Sequence, residues 1–260
     1  MANDREAPAH PETADKPRDP ITPYAPLNVL KPVAPDVWMV DGPTVRFGPG
    51  RGAPFTTRMT VIRVGPDGLL VHSPTLLTPE LKVALARIGA VRWVVAPNRI
   101  HHIWLEAWLQ AFPHAVGYAA HGVRRPVSIA ASRLLPLDHG GGYPWDGPVA
   151  TLPIRGRYMT EVEFFHWPSR TLVLTDLIEN FEVHRLASPV MRWLVRLGGV
   201  AAPHGGLPLD LRMTFPTRTL RSAVLQMLDW RPERILIAHG RWFEHDGEAE
   251  LRRVFRWLLR

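Results

Sequence analysis

From Asp36 to Val40, and again from Thr57 to Val64, hydrophobic and polar residues alternate with a period of two; Leu69–Val71 is a short apolar run behind Gly68. Alternation gives a strand one face for a core and one for water, so these stretches predict an antiparallel meander. The intervening Gly48-Pro49-Gly50-Arg51-Gly52 predicts a loop. It lacks the Lys-Ser/Thr pair of a phosphate cradle and is assigned no nucleotide role. The period then changes. Leu81, Leu85 and Ile88 share one face of a helix that Thr78 caps, Pro79 opens and Gly89 ends. Val91–Ala96 predicts a buried strand, Pro97-Asn98 a break, Trp104–Phe112 a helix and Ala115–Ala120 another strand. Asp138–Pro148 is a loop carrying three successive glycines. Val149–Ile154, Val162–Trp167 and Thr171–Thr175 predict strands, the last two a hairpin turned at Pro168-Ser169-Arg170. Helices are expected at Pro189–Leu197 and Leu220–Trp230, then a strand at Arg234–Ala238 and a final helix, Gly247–Leu259, capped by Asp246.

This order suits an α/β chain with two sheets and helices packed outside them better than a single doubly wound sheet. Residues 1–26 stand apart: Pro8, Pro11, Pro17, Pro20, Pro23 and Pro26 alternate with charged side chains, and almost nothing there can be buried. That composition predicts a disordered Pro-rich arm, followed by one domain over residues 27–260.

Composition narrows the chemistry. The 260 residues include 12 histidines and no cysteine, which excludes disulfide scaffolds, zinc ribbons, iron–sulfur clusters and thiol catalysis. A metal site would have to come from His, Asp and Glu. The net charge of +7 is carried almost wholly by arginine, since Lys16, Lys31 and Lys82 are the only lysines. No localised basic stripe with interleaved aromatics accompanies it, so nucleic acid is not an expected partner. No run of 18 apolar residues is present to span a membrane, and the first 30 residues lack the apolar core of a signal peptide, so a cytoplasmic location is expected.

Several of the histidines fall at one kind of place. His72 follows Leu69–Val71, His101 and His102 follow Val91–Ala96 after a turn, Asp176 closes Thr171–Thr175, and His239 closes Arg234–Ala238. Ligands of α/β sheets gather beyond the carboxyl ends of strands, and neutral imidazole with carboxylate is a donor set for zinc, iron or manganese. Any single histidine is more often a satisfied core or capping residue; the agreement between positions carries the metal reading. Adjacent His101 and His102 reach one ion only from a turn, because neighbours on a helix diverge by about 100°.

In these motifs the chain resembles the metallo-β-lactamase-fold superfamily, closest to an uncharacterised bacterial branch with no assigned reaction. The resemblance rests on Val71-His72-Ser73-Pro74, Pro97-Asn98-Arg99-Ile100-His101-His102, Leu174-Thr175-Asp176 and Ile237-Ala238-His239-Gly240, in that order. It implies a four-layer αββα sandwich. The superfamily's first motif, His-x-His-x-Asp-His, places its last His on His102 and its Asp on His101, while its two earlier His fall on Pro97 and Arg99. A further family His falls near Arg157. The bridging Asp corresponds to Asp176, with Thr175 in place of Gly, and the final His to His239. The resemblance therefore implies that the three non-bridging ligands of one metal are lost. One divalent ion, zinc or iron, would be held by His101, His102, Asp176 and His239.

With one ion bound, a metal-activated water would attack the substrate, and Asp176 would serve as both ligand and catalytic orienter of that water. A small-molecule substrate is expected, an anionic one if Arg58, Arg99 and Arg157 clamp it. Glu179 and Asn180 follow Asp176 closely, with a loop role the simpler reading. The competing account is a fold kept without catalysis, as a binding or scaffold protein. A third feature is the segment Arg185–Arg221, with six arginines against one acid, Asp210, around Met191, Trp193, Leu194, Val195 and Leu197. Such a helix can lie on an anionic membrane surface. Packing on its own domain with the arginines outward is the preferred reading.

Overall fold

The computed structural model describes residues 20–48, 52–66, 68–126 and 128–260. The expected meander forms: β2 (Val37–Phe47), β3 (Ala53–Val64) and β4 (Gly68–His72) pair antiparallel, with β1 (Lys31–Ala34) added at the edge. From β4 the sheet continues in parallel through β5 (Ala90–Ala96), β6 (Val116–Ala119) and β7 (Leu134–Pro136). The crossovers are α1 (Pro79–Ile88) and α2 (Leu105–Ala111). Thr78 caps α1 as its sequence requires, its side chain accepting from the Leu81 N–H at 3.2 Å. The loop 48–52 expected between β2 and β3 lies partly outside the described residues.

A second sheet has the order β11-β10-β9-β8, from β8 (Val149–Arg155), β9 (Thr160–His166), β10 (Thr171–Val173) and β11 (Arg234–Leu236). The β9–β10 hairpin turns where expected, with Arg170 in the left-handed region at φ 51°. Helices α3 (Pro189–Leu197), α4 (Leu209–Arg212) and α5 (Thr217–Asp229) lie between β10 and β11, and α6 (Gly247–Val254) and α7 (Arg256–Leu259) follow. The single last helix expected from the pattern is thus two, and Asp246, itself left-handed, makes no side-chain cap bond.

Three apolar clusters stack these elements into four layers. Leu81, Leu85, Trp108 and Leu109 of α1 and α2 cover Met59, Val61, Val71 and Val94 of the first sheet. Ile62, Leu70 and Val95 on its other face meet Val162, Phe164, Val173 and Leu236 of the second. The far face of the second sheet, with Phe165, Leu172 and Ile235, is covered by Leu220, Val224, Met227, Leu251 and Phe255. Burying each such side chain is worth about 1.5–3 kcal/mol. The αββα sandwich that the motifs imply is the architecture observed.

A fourth cluster, Ile21, Phe181, Leu186, Val195 and Val200, lies at one end. It alters two expectations. Residues 1–19 of the Pro-rich arm lie outside the described residues, but the chain from Pro20 is packed: Ile21 bridges Leu186, and the Tyr24 ring receives the guanidinium of Arg185. Helix α3 occupies its expected span but is turned the other way. Only Val195 is buried, Met191 is half-buried, and the apolar stripe Val190, Trp193, Leu194 and Leu197 faces outward.

Candidate metal centre

The first motif loop leaves β5 at Ala96 and is shaped by one side chain. Asn98 is buried, and its Oδ1 accepts the N–H groups of Ile100 (2.8 Å) and His101 (2.9 Å), an Asx turn that aims His101 back across the sheet edge. Its Nδ2 donates to Asp176 Oδ2 (2.7 Å) and Thr175 Oγ1 (3.0 Å). One amide therefore ties the loop after β5 to the loop after β10.

The loop carrying Asp176 is held from below by Glu161 of β9. Glu161 Oε1 accepts the consecutive N–H groups of Thr175 (2.9 Å), Asp176 (2.8 Å) and Leu177 (3.1 Å). Burial, and then the charge of Asp176, push the Glu161 pKa above its ordinary value. Glu163, two residues on, is fully buried with neither carboxyl oxygen hydrogen-bonded among the described residues; burial and then the charge of Glu161 push its pKa well up. A neutral carboxyl there avoids two adjacent buried charges.

His239 is placed by Arg58 and Gly240. Buried Arg58 pairs with Asp41 (Nη2–Oδ1 2.8 Å) and donates through Nη1 to the carbonyls of Ile237 (2.9 Å) and Gly240 (2.8 Å), on either side of the histidine. Gly240 has φ 96°, and a Cβ there would stand 2.1 Å from the Asn180 carbonyl oxygen, so the His-Gly pair is a steric requirement. Asn180 N donates to His239 O (3.1 Å) and Asn180 Nδ2 to the Arg241 carbonyl (2.8 Å), closing the loop from its other side.

These three loops bring His101, Asp176 and His239 together. Their ligand atoms lie within 4.8 Å of one another, with His101 Nε2 and His239 Nε2 each 3.2 Å from Asp176 Oδ1. Each imidazole is fixed through its other nitrogen: His239 Nδ1 lies 2.8 Å from the Thr56 carbonyl oxygen, and His101 Nδ1 lies 2.8 Å from Ser73 Oγ. Burial would push the Asp176 carboxyl up, but the charges and hydrogen bonds of His101 and His239 outweigh it and hold the group well below the carboxylate range. Burial likewise pulls His101 down, and Asp176 more than compensates, raising it.

The donor set fits a metal ion. A carbonyl oxygen only accepts, so His239 Nδ1 carries a hydrogen, and Nε2 is the nitrogen turned towards the Asp176 carboxylate oxygen. The 3.2 Å between Nε2 and Asp176 Oδ1 is bridged either by a proton or by a metal cation that takes its place. Two imidazoles and a carboxylate are a zinc or iron donor set, and a hydrogen bond to the second ring nitrogen is the usual way of orienting such ligands.

His102, expected as a fourth ligand, is outside this group. It is half-buried, and its backbone N–H turns back to the Ile100 carbonyl (3.0 Å) at the entry to α2. The position that the resemblance gives to the motif's Asp, His101, is the one that converges. His72 lies within the sheet against Phe164, and burial, with a lesser contribution from His101, pulls its pKa down to about 3.

The cluster opens on a cleft of about 390 Å³ lined by His101, Asp176, His239 and Ser73, with Phe47, Phe55, Ile100, Ile103, Trp104 and Leu211 among its apolar walls. Its remaining acidic groups are Glu179 and Asp210. Burial, opposed by His239 and supported by Asp176, pushes Glu179 up to about 8. None of the three arginines expected to clamp an anion lines this cleft. Arg58 is spent on Asp41 and the His239 loop, and Arg99 lies over the Tyr158 ring and donates to its carbonyl. Arg157 is exposed beyond the wall.

Two packed sheets flanked by helices, with His and Asp donors on the loops at one edge, define the metallo-β-lactamase fold. Solved structures of that fold superpose on this one along nearly their whole length. The mono-zinc form of the metallo-β-lactamase FIM-1 from Pseudomonas aeruginosa matches with a TM-score of 0.57 at 12% identity, covering 89% of this chain and 94% of that one. The metallo-β-lactamase of Hirschia baltica matches at 0.56 and 13%, covering 88% and 97%, and that of Pontibacter korlensis at 0.54 and 10%, covering 89% and 98%. At such identities the likeness is one of fold. The chain itself belongs to the family described as Domain of unknown function (DUF4336), whose model matches residues 53–192 and so includes His101 and Asp176. No curated protein sequence matches it.

Proposed function

We propose that this protein is a hydrolase using one divalent metal ion, zinc or iron, held by His101, Asp176 and His239. The observation that carries the proposal is convergence: donor atoms of His101, Asp176 and His239 lie within 4.8 Å of one another in the lining of a cleft, with both imidazole Nε2 atoms 3.2 Å from Asp176 Oδ1. A divalent ion there supplies a water of lowered pKa and polarises the bond to be cleaved. Asp176 combines a ligand position with a second oxygen, Oδ2, which Asn98 keeps oriented. The Thr56 carbonyl keeps a hydrogen on His239 Nδ1, and Ser73 Oγ holds the His101 ring in orientation through its Nδ1.

The cleft volume is in the range of small-molecule sites. Its apolar walls and acidic residues favour an uncharged, largely apolar substrate over the anionic one suggested by the arginines. The non-catalytic alternative finds its support in Pro97, Arg99 and Arg157, which stand where the superfamily keeps ligands. The two readings separate in one assay. Zinc-loaded protein, offered a panel of uncharged esters and lactones, should show turnover that chelation abolishes and added zinc restores, and that His239→Ala lacks while keeping its circular dichroism. Metal-replete, folded protein inert across neutral and anionic panels alike would favour the scaffold.

A further inference from the structure

We infer that the outward face of α3 docks on an anionic lipid bilayer. The face carries none of the metal-site residues, so the inference stands independently of the hydrolase reading. Val190, Trp193, Leu194 and Leu197 fall at i, i+3, i+4 and i+7, the spacing that a helix uses to bury one face. Here their side chains are turned to solvent, 65%, 58%, 46% and 57% exposed. Soluble surfaces scatter single apolar residues but seldom align four on one helical stripe without something to cover them.

The surrounding charge selects the occupant. Helix α3 has no acidic residue and carries two arginines, the half-buried Arg192 and the exposed Arg196; of the other arginines in the segment, Arg185 is paired with Glu182 and Arg212 lies over the Trp257 ring. An apolar stripe bordered by arginines whose stems can lie along it is the pattern that inserts at the boundary of headgroups and acyl chains. A neutral apolar partner would leave those charges unanswered; phosphodiester headgroups answer them.

Continuity with the cleft is a second observation. A groove beside α3, lined by Met191, Leu194 and Leu209, shares Phe55, Glu179, Pro208 and Asp210 with the walls of the metal-site cleft. Phe47, Ile103 and Tyr158 are both cleft-lining and exposed. The groove that reaches the stripe at Leu194 thus adjoins the cleft through Phe55 and Pro208, with Glu179 and Asp210 between them.

The test is co-sedimentation of the full chain with vesicles of phosphatidylcholine alone or with roughly one-third phosphatidylglycerol. Binding to the anionic vesicles should be at least about tenfold tighter, and should weaken by a similar factor when salt is raised to about 0.5 M. The exposed pair Trp193→Asp and Leu197→Asp should abolish it with the melting temperature unchanged, and Arg196→Gln should weaken it selectively on anionic vesicles. Equal binding to both vesicles, or none, would overturn the inference. So would a dimer in sedimentation velocity that the same aspartates dissociate, or cross-links from residues 1–19 onto α3, since either would supply a different cover for the stripe.

Discussion

At the scale of single residues, the centre depends on side chains whose importance no spacing announces. Asn98 stands in the sequence as half of a Pro-Asn break, a signal of chain reversal and nothing more. In the structure it makes four hydrogen bonds, linking both motif loops. Asn98→Ala should lower zinc affinity about 10–100-fold, measured by competition with a chelator, because Asp176 loses the partner that orients it. The same change should cost about 1–3 kcal/mol in urea unfolding, as two N–H groups are left without an acceptor. His101 and His102 show the limit from the other side. Adjacent identical residues cannot be ranked by pattern, and only the turn built by Asn98 decides that His101 faces Asp176. His72 offers a test by pH. The folded chain keeps it neutral, with a pKa of about 3 against 6.5 when unfolded, so its contribution to stability is full above pH 6.5 and is lost as pH falls towards 3. His72→Leu should flatten that part of the acid limb of a stability–pH curve; an unchanged limb would show that His72 is not held neutral.

At the scale of elements, most strands and helices were legible because burial follows period. The strand β9 shows why some of the site was not. Glu161 and Glu163 alternate with Val162 and Phe164, a pattern that gives a strand one wet face; the structure buries both glutamates completely. Tertiary packing overrides the pattern here because Glu161 is needed to accept three N–H groups of the Asp176 loop. Glu161→Ala should therefore destabilise the protein by several kcal/mol, on the order of 1–3 for each donor left buried and unpaired. Glu161→Gln, which keeps the acceptor oxygen, should recover most of that loss; denaturant titration of the two variants checks the ordering. Helix α3 is the converse case. Its span was plain from its periodicity, but amphipathicity states that one face is apolar and not which way that face points.

At the scale of the molecule, the fold was readable because strand order, helix placement and four short motifs agreed, and the four layers follow from three separate cores. What the chain could not state was convergence: Asn98, Glu161 and Arg58 set the distances within the centre, and all three act across long sequence separations. The arrangement concentrates the chemistry at one edge of the sandwich and leaves the rest of the molecule to hold three loops in register. The measurement that tests this most directly is metal content by mass spectrometry after zinc reconstitution, compared across single variants. The wild-type chain and His102→Ala should each retain one zinc per chain, while His101→Ala, Asp176→Ala and His239→Ala, folded by circular dichroism, should retain almost none. Zinc retained undiminished by the His101 and His239 variants, or lost from His102→Ala alone, would contradict the centre described.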